Sequence, residues 1–270
     1  MSRLVAVATH HKTGTVWMRR VWSHWSETLG LPRIRVSGPG SVTEVPAEGR
    51  ALLVSWNAAF PAELLDRADL RGMHLVRDPR DVLISGLRYH LIAPVAGERA
   101  LHVPRTDLGG KTYQQHLNAL PTTHARMLFE MENVHLDTLT EMTAWRYDRP
   151  NLRELRYEDL VRDRDMTLFA DLLDFLGIDG AEKDTALDAY WANSLFGGFA
   201  EREARPRRVA LHVQSGEPAQ WETRMPRSVA EVYVERHNDA LVALGYETDA
   251  SWVARCPDEV ETAALAGSKN

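Results

Sequence analysis

The chain has 270 residues, 44% of them hydrophobic and 26% charged, the make-up of an ordinary globular protein with a sizeable core rather than of a disordered or fibrous chain. Its 32 basic and 38 acidic residues leave a formal charge of −6, so it lacks the basic surplus of a general nucleic-acid binder, and any anion site has to be local. The single cysteine, Cys256, excludes an internal disulfide, and no stretch approaches the roughly 20 apolar residues of a membrane span. The first apolar run, Leu4–Ala8, is too short for a signal-peptide core, so the expectation is a cytoplasmic protein with no membrane or nucleic-acid partner.

Leu4–Thr9 (LVAVAT) is short, apolar and β-branched, as expected of a strand buried on both faces. Apolar side chains then recur at Trp17, Val21, Trp25 and Leu29 before Gly30, the pattern of an amphipathic helix with its stop. Residues 31–50 read as a connection rich in proline and glycine. Ala51–Trp56 is a second strand, followed by a helix opened by Pro61, and His74–Arg77 is a third. Asp78 is a good N-cap, with Pro79 at the first position of the next helix.

Residues 93–123 show no clear period and read as a long surface excursion. Met127, Met131, Val134, Thr138 and Met142 then mark one side of a helix. Leu152–Tyr157 alternates apolar with charged residues, which places this fourth strand at the fringe of the sheet. "MTLFADLLDFLG" is a helix ending at Gly177, another helix covers about 181–193, and Ser228 with Glu231 forms a capping-box pattern before the last one. Strands alternating with helices predict an α/β fold, a parallel β-sheet covered by helices on both faces. Residues 1–250 read as one domain with a lid or acceptor-binding excursion at about 93–123, and 251–270 as a C-terminal tail.

Ligands of such sheets sit beyond the carboxyl ends of the strands, where His10–Thr15 falls. A strand–loop–helix unit can fold backbone N–H groups around an anion at the positive end of the helix dipole. Gly14 permits close approach, Thr13 and Thr15 carry hydroxyl donors, and Lys12 supplies a full charge. Lys12 precedes Gly14 and no earlier glycine exists, so the order is not that of a Walker loop. His10 and His11 have no HExxH or CxxC companion, and no metal is expected. Further on, Arg77 can pair with a phosphate bidentately, and Ser85, about 10 Å along the following helix, can add a neutral hydrogen bond.

"HKTGTVW" behind the first strand and "RDPRDVLIS" behind a later one together resemble the two nucleotide-binding signatures of the cytosolic-type sulfotransferase family. "LRYEDLVRD", "NSLFGGF" and "HVQSGEPAQWETRMP" are weaker echoes, and the resemblance covers roughly residues 4–248. It implies a P-loop-like fold and 3′-phosphoadenosine 5′-phosphosulfate (PAPS) as co-substrate, with no metal. Lys12, Thr13, Gly14, Thr15, Val16 and Trp17 match the loop that holds the 5′-phosphosulfate, with Lys12 on the bridging oxygen and Trp17 beside the adenine. Arg77 and Ser85 match the pair on the 3′-phosphate, Tyr157 matches a tyrosine near the adenine, and Ser194 and Phe196 border the base.

Two departures stand out. The family's C-terminal anion loop reads Arg-Lys-Gly followed by Gly-Asp-Trp. Here it reads Gln214, Ser215 and Gly216, then Ala219, Gln220 and Trp221, with Arg205, Arg207 and Arg208 upstream as substitutes for the missing charge. The family's general-base histidine falls at Ser55-Trp56-Asn57, where no histidine exists. His11 and His90 are the leading replacements, with His102 and His116 as further candidates. The resemblance thus implies sulfuryl transfer to a hydroxyl or amine of a small molecule, a glycosylated natural product or another glycan, and homo-oligomer formation stays open. Two alternatives stand beside it: a non-catalytic 3′-phosphonucleotide-binding protein of the same fold, and a P-loop-like kinase.

Overall fold

The computed structural model describes residues 3–213 and 215–260. Five strands, β1 (Leu4–Thr9), β2 (Arg33–Arg35), β3 (Ala51–Ser55), β4 (Leu70–Val76) and β5 (Leu152–Arg156), form an all-parallel sheet in the order β2-β3-β1-β4-β5. The helices, in chain order, are α1 (Thr15–Thr28), α2 (Ala62–Leu65), α3 (Pro79–Ile92), α4 (Tyr113–Ala119), α5 (Thr123–Met131) and α6 (Val134–Ala144). They continue with α7 (Tyr157–Leu160), α8 (Thr167–Leu176), α9 (Gly180–Ala192), α10 (Arg207–His212), α11 (Trp221–Arg224) and α12 (Arg227–Ala243). The chain forms two compact units, one joining the segment through Arg77 to Ala144–Pro206, the other joining Asp78–Thr143 to the segment from Arg207.

The first unit holds the sheet. Strand side chains alternate between faces, so Val5, Val7, Met73 and Leu75 pack on one side with Met18, Val21, Trp22 and Trp25 of α1 and Phe169 and Leu172 of α8. Leu4, Ala6, Leu53 and Leu70 pack on the other with Leu64 and Leu65 of α2 and with Trp145. All six residues of β1 are buried, as a central strand covered on both faces requires. β1 lies between β3 and β4, and the chain crosses over it on its way from β3 to β4. The loop after β1 therefore leaves the sheet where its winding reverses, the usual place for a ligand in an open parallel sheet.

In the second unit α3 is almost wholly buried. Asp78 caps it, its carboxylate accepting from the Arg80 N–H at 2.9 Å, with Pro79 at the first position as the sequence predicts. The Arg80 guanidinium is held by Asp78 at 2.7 Å and Glu247 at 2.6 Å and lies over the rings of Trp221, 3.7 Å away, and Trp252, 4.7 Å away. Trp252 is thus core, and residues 251–260 are no loose tail; 261–270 lie outside the described residues.

Other differences have local causes. β2 is a three-residue edge strand inside the predicted connection, carrying two arginines and no apolar run to announce it. The methionine-marked helix is two helices, broken at Glu132 and Asn133. The excursion contains α4, begun by a capping box of Thr112 and Gln115 and anchored by buried Tyr113 and Leu117. Ser228 does not cap α12, which starts after Pro226; its hydroxyl meets His124 Nδ1 at 3.0 Å instead.

Gly72 pairs with Ala6 across the centre of the sheet, and a Cβ there would stand 2.7 Å from the Ala6 carbonyl oxygen and 2.8 Å from its Cβ. Backbone cannot yield as a flexible side chain would. Gly72→Ala is expected to lower the unfolding free energy by about 1–3 kcal/mol, read as a lower urea midpoint at unchanged slope.

Candidate functional site

The loop between β1 and α1 is organised around one acceptor. The carbonyl oxygen of His10 takes the hydroxyl of Thr15 at 2.6 Å, the hydroxyl of Thr13 at 3.0 Å and the N–H of Thr13 at 3.3 Å. The Thr13 hydroxyl also accepts from the His10 N–H at 3.0 Å, and Thr9 and Thr15 hydroxyls lie 2.9 Å apart. These bonds curl the chain tightly enough to put Lys12 at φ 63, in the left-handed region that a non-glycine residue enters only when its surroundings impose it. Gly14 follows at φ 105 and ψ 11.

Left-handed residues next to a helix start turn successive N–H groups toward one point, the geometry of an anion nest. Among the described residues no side chain caps α1, and its first turn holds no carboxylate, so the N–H groups at its start are offered to an incoming anion. The Thr13 and Thr15 hydroxyls, expected to donate to the anion, are instead committed to His10. The backbone N–H groups at the start of α1, which no described side chain caps, remain to face a ligand.

Residues distant in sequence complete the wall. Arg77, at the end of β4, donates through NH1 to the Lys12 carbonyl at 3.2 Å, and its guanidinium lies 4.4 Å from the ring centre of Tyr157. Tyr157, at the end of β5, packs its ring against Gly14 closely enough that a Cβ on that glycine would stand 3.1 Å from it. Its ring is therefore wedged between loop and guanidinium, 5% exposed, rather than laid open to a base. Trp17 stacks on Tyr190 with ring centres 4.8 Å apart and 17° between planes, and Phe196 approaches it edge-on at 6.2 Å. Trp17 and Phe196 are half-buried, whereas Ser194 is fully buried with its hydroxyl donating to the Trp191 carbonyl at 2.9 Å. That hydroxyl has no donor left for a ligand.

In the second unit Ser85 is the one residue from Asp78 to His90 that is not buried. Val16 and His11 of the loop are half-buried. His90 is completely buried, with Nδ1 held by the Glu130 carboxylate at 2.9 and 3.0 Å, and Glu130 also takes the Tyr113 hydroxyl at 2.7 Å. Burial, together with Glu130, pushes the Tyr113 hydroxyl far above its ordinary range. His102 meets the Ala93 carbonyl at 3.0 Å, and the His116 ring lies 4.6 Å from that of Phe129. Gln214 lies outside the described residues; the Ser215 hydroxyl accepts the Glu217 N–H at 3.4 Å, and Gly216 has φ 72. Ala219 sits at φ 57, in the left-handed region that glycine adopts most easily.

A buried polar chain next to the loop escaped the sequence reading. His10 Nε2 meets His74 Nε2 at 2.8 Å, and His74 Nδ1 meets Glu154 Oε2 at 2.5 Å. Trp145 donates through its indole N–H to Glu154 Oε1 at 2.9 Å and stacks on His74 at 4.1 Å. Burial pushes the Glu154 carboxyl up to about 7 and, together with His10, holds His74 well below the usual imidazole range. A histidine in an apolar strand and a glutamate alternating with leucine were the only signals.

Among solved structures, mouse sulfotransferase SULT7A1 complexed with PAP matches with a TM-score of 0.53 at 14% identity, over 93% of this chain and 90% of its own. Retinol dehydratase in complex with androsterone and inactive cofactor PAP gives 0.56 at 17% identity, over 89% and 81%. Retinol dehydratase in a complex with retinol and PAP gives 0.50 at 18% identity, over 89% and 81%. No protein-family model and no curated protein sequence matches the chain. The chain has the P-loop-like fold of the sulfotransferases.

Gly14→Ala would force a Cβ onto the Tyr157 ring at a left-handed position. The substitution is expected to lower the unfolding free energy by about 1–2 kcal/mol, read as a lower urea midpoint at unchanged slope.

Proposed function

We propose that this chain is a sulfotransferase that moves a sulfuryl group from PAPS to a hydroxyl or amine of a small-molecule acceptor. The observation that carries the reading is the joining of Arg77 to the Lys12 carbonyl across a left-handed loop, which sets two cations and a helix N-terminus on one edge of the sheet. The fold likeness supports it, because the matched structures hold PAP. The loop takes the 5′-phosphosulfate, Arg77 takes the 3′-phosphate, and Trp17 and Phe196 offer half-buried aromatic surface to the adenine.

In the reaction an acceptor oxygen or nitrogen bonds to sulfur as the bond from sulfur to the bridging phosphate oxygen breaks. The acceptor gives up its proton and PAP leaves. Like phosphoryl transfer, this is an in-line displacement through a loose transition state in which charge builds on the leaving oxygen. Lys12 and the α1 N–H groups take up that charge where it develops. Ile92, Val95 and Val103, in and beside the excursion, are about half exposed, which suits an apolar acceptor, and the matched structures include complexes with retinol and androsterone.

A second reading, a 3′-phosphonucleotide-binding protein without transfer, draws on the missing histidine at Trp56 and on the complete burial of His90. The test is conversion of PAPS to PAP in the presence of a panel of phenols, apolar alcohols and amines. Acceptor-dependent PAP release supports transfer; tight PAP binding without release favours the binder. Lys12→Ala is expected to lower turnover by about two to three orders of magnitude. Arg77→Ala should mainly raise the KM for PAPS.

A further inference from the structure

The open part of α3 lies along one strip. Ser85 is partly exposed, and Ile92, at the end of the helix, is about half exposed. Arg88 lies between them, one turn after Ser85 and one turn before Ile92, on the same side of the helix. It is 9% exposed, and its Nε is sealed from solvent with no hydrogen-bond partner. Among the described residues no carboxylate forms an ion pair with Arg88 and no carbonyl accepts from its terminal nitrogens. Arg80 of the same helix shows what a guanidinium at that depth otherwise requires: two carboxylates hold it and two indole rings cover it. A buried cation without such partners destabilises a fold, so its presence points to a ligand that brings the missing anion.

The surface beyond Arg88 is apolar. Ile92, Val95 and Val103 are each about half exposed, and His102, 3.0 Å from the Ala93 carbonyl, holds the segment bearing Val103 at the end of α3. Gln114 donates to the carbonyls of His90 and Ala93 at 2.8 and 3.0 Å, which ties α4 to the same place. Single exposed apolar residues are ordinary on a surface, but three gathered beside an unpartnered buried cation form a recognition surface. We propose that Arg88 binds the carboxylate of an apolar acid whose body lies over Ile92, Val95 and Val103. One guanidinium balances one negative charge, and its planar fork matches the two oxygens of a carboxylate. The apolar body takes the surface at the end of the helix, as ligand sites join a large apolar area to few polar groups. This deepens the sulfotransferase reading: the acceptor carries an acid as well as the hydroxyl or amine that takes the sulfuryl group. Its role as acceptor rests on that reading; its binding does not.

The probe is 10-hydroxydecanoate, with its methyl ester as the uncharged control. By calorimetry without PAPS, native protein is expected to bind the acid about 10- to 100-fold more tightly than the ester, the range of a hydrogen-bonded charge pair. Arg88→Met is expected to remove that preference, and Arg88→Lys to keep part of it, since the charge remains and the fork is lost. Because no described residue pairs with Arg88, Arg88→Met should unfold at a urea midpoint no lower than that of native protein. Turnover gives a third readout. With PAPS, the kcat/KM ratio of 10-hydroxydecanoate over 1-decanol should fall about tenfold or more in Arg88→Met, through the KM for the acid. Equal binding of acid and ester by native protein, a preference that survives in Arg88→Met, or a lowered urea midpoint overturns the proposal. So does a raised KM for PAPS with an unchanged acceptor ratio, which would give Arg88 to the donor. Acid binding that needs Arg88 but leads to no PAP release overturns the transfer reading and leaves the acid site standing.

Discussion

One carbonyl oxygen governs the candidate site. His10, the first residue past the central strand, collects three donors from the five residues that follow, and this imposes the left-handed turn at Lys12. The strain of that turn, on the order of 1–3 kcal/mol, is held by this network of hydrogen bonds. Without the turn, Lys12 would not present its carbonyl to Arg77, and the start of α1 would not open toward a ligand. The hydroxyls of Thr13 and Thr15 belong to this scaffold. They shape the loop rather than point away from it.

That division of labour accounts for the distance from the Walker loop. There, glycines supply the turn and a later lysine reaches back over it. Here a residue with a side chain occupies the left-handed position, and Tyr157 closes the loop from the side by packing on Gly14. Arg77 is then clamped twice, by the Lys12 carbonyl and by the Tyr157 ring. The cost of moving any one of these groups falls on the other two.

Much of the architecture was legible because it repeats a period or ends on a specific residue. β1 is a run of apolar residues, α1 has a four-residue spacing, α3 begins at an Asp-Pro pair, and α8 ends at Gly177, and each appears where those signals put it. β2 was not legible, since two arginines in three residues carry no strand pattern and the strand exists only because β3 offers it an edge. Trp252 looked like part of a tail, because its partner Arg80 lies far away in the chain. The loop's charged residues were readable, but the inward turn of its threonines was not, because sequence names a hydroxyl and not its acceptor. The link from His10 to Glu154 joins three separate segments through side chains alone, and no local pattern announces it.

The central claim is that the loop is built for its anion before the anion arrives, and a crystal structure with PAP bound tests it most directly. The account predicts the 5′-phosphate seated against residues 12–17, with Lys12 still left-handed and Arg77 still bonded to its carbonyl. A 5′-phosphate bound elsewhere, or a loop refolded so that Lys12 leaves the left-handed region, would contradict it.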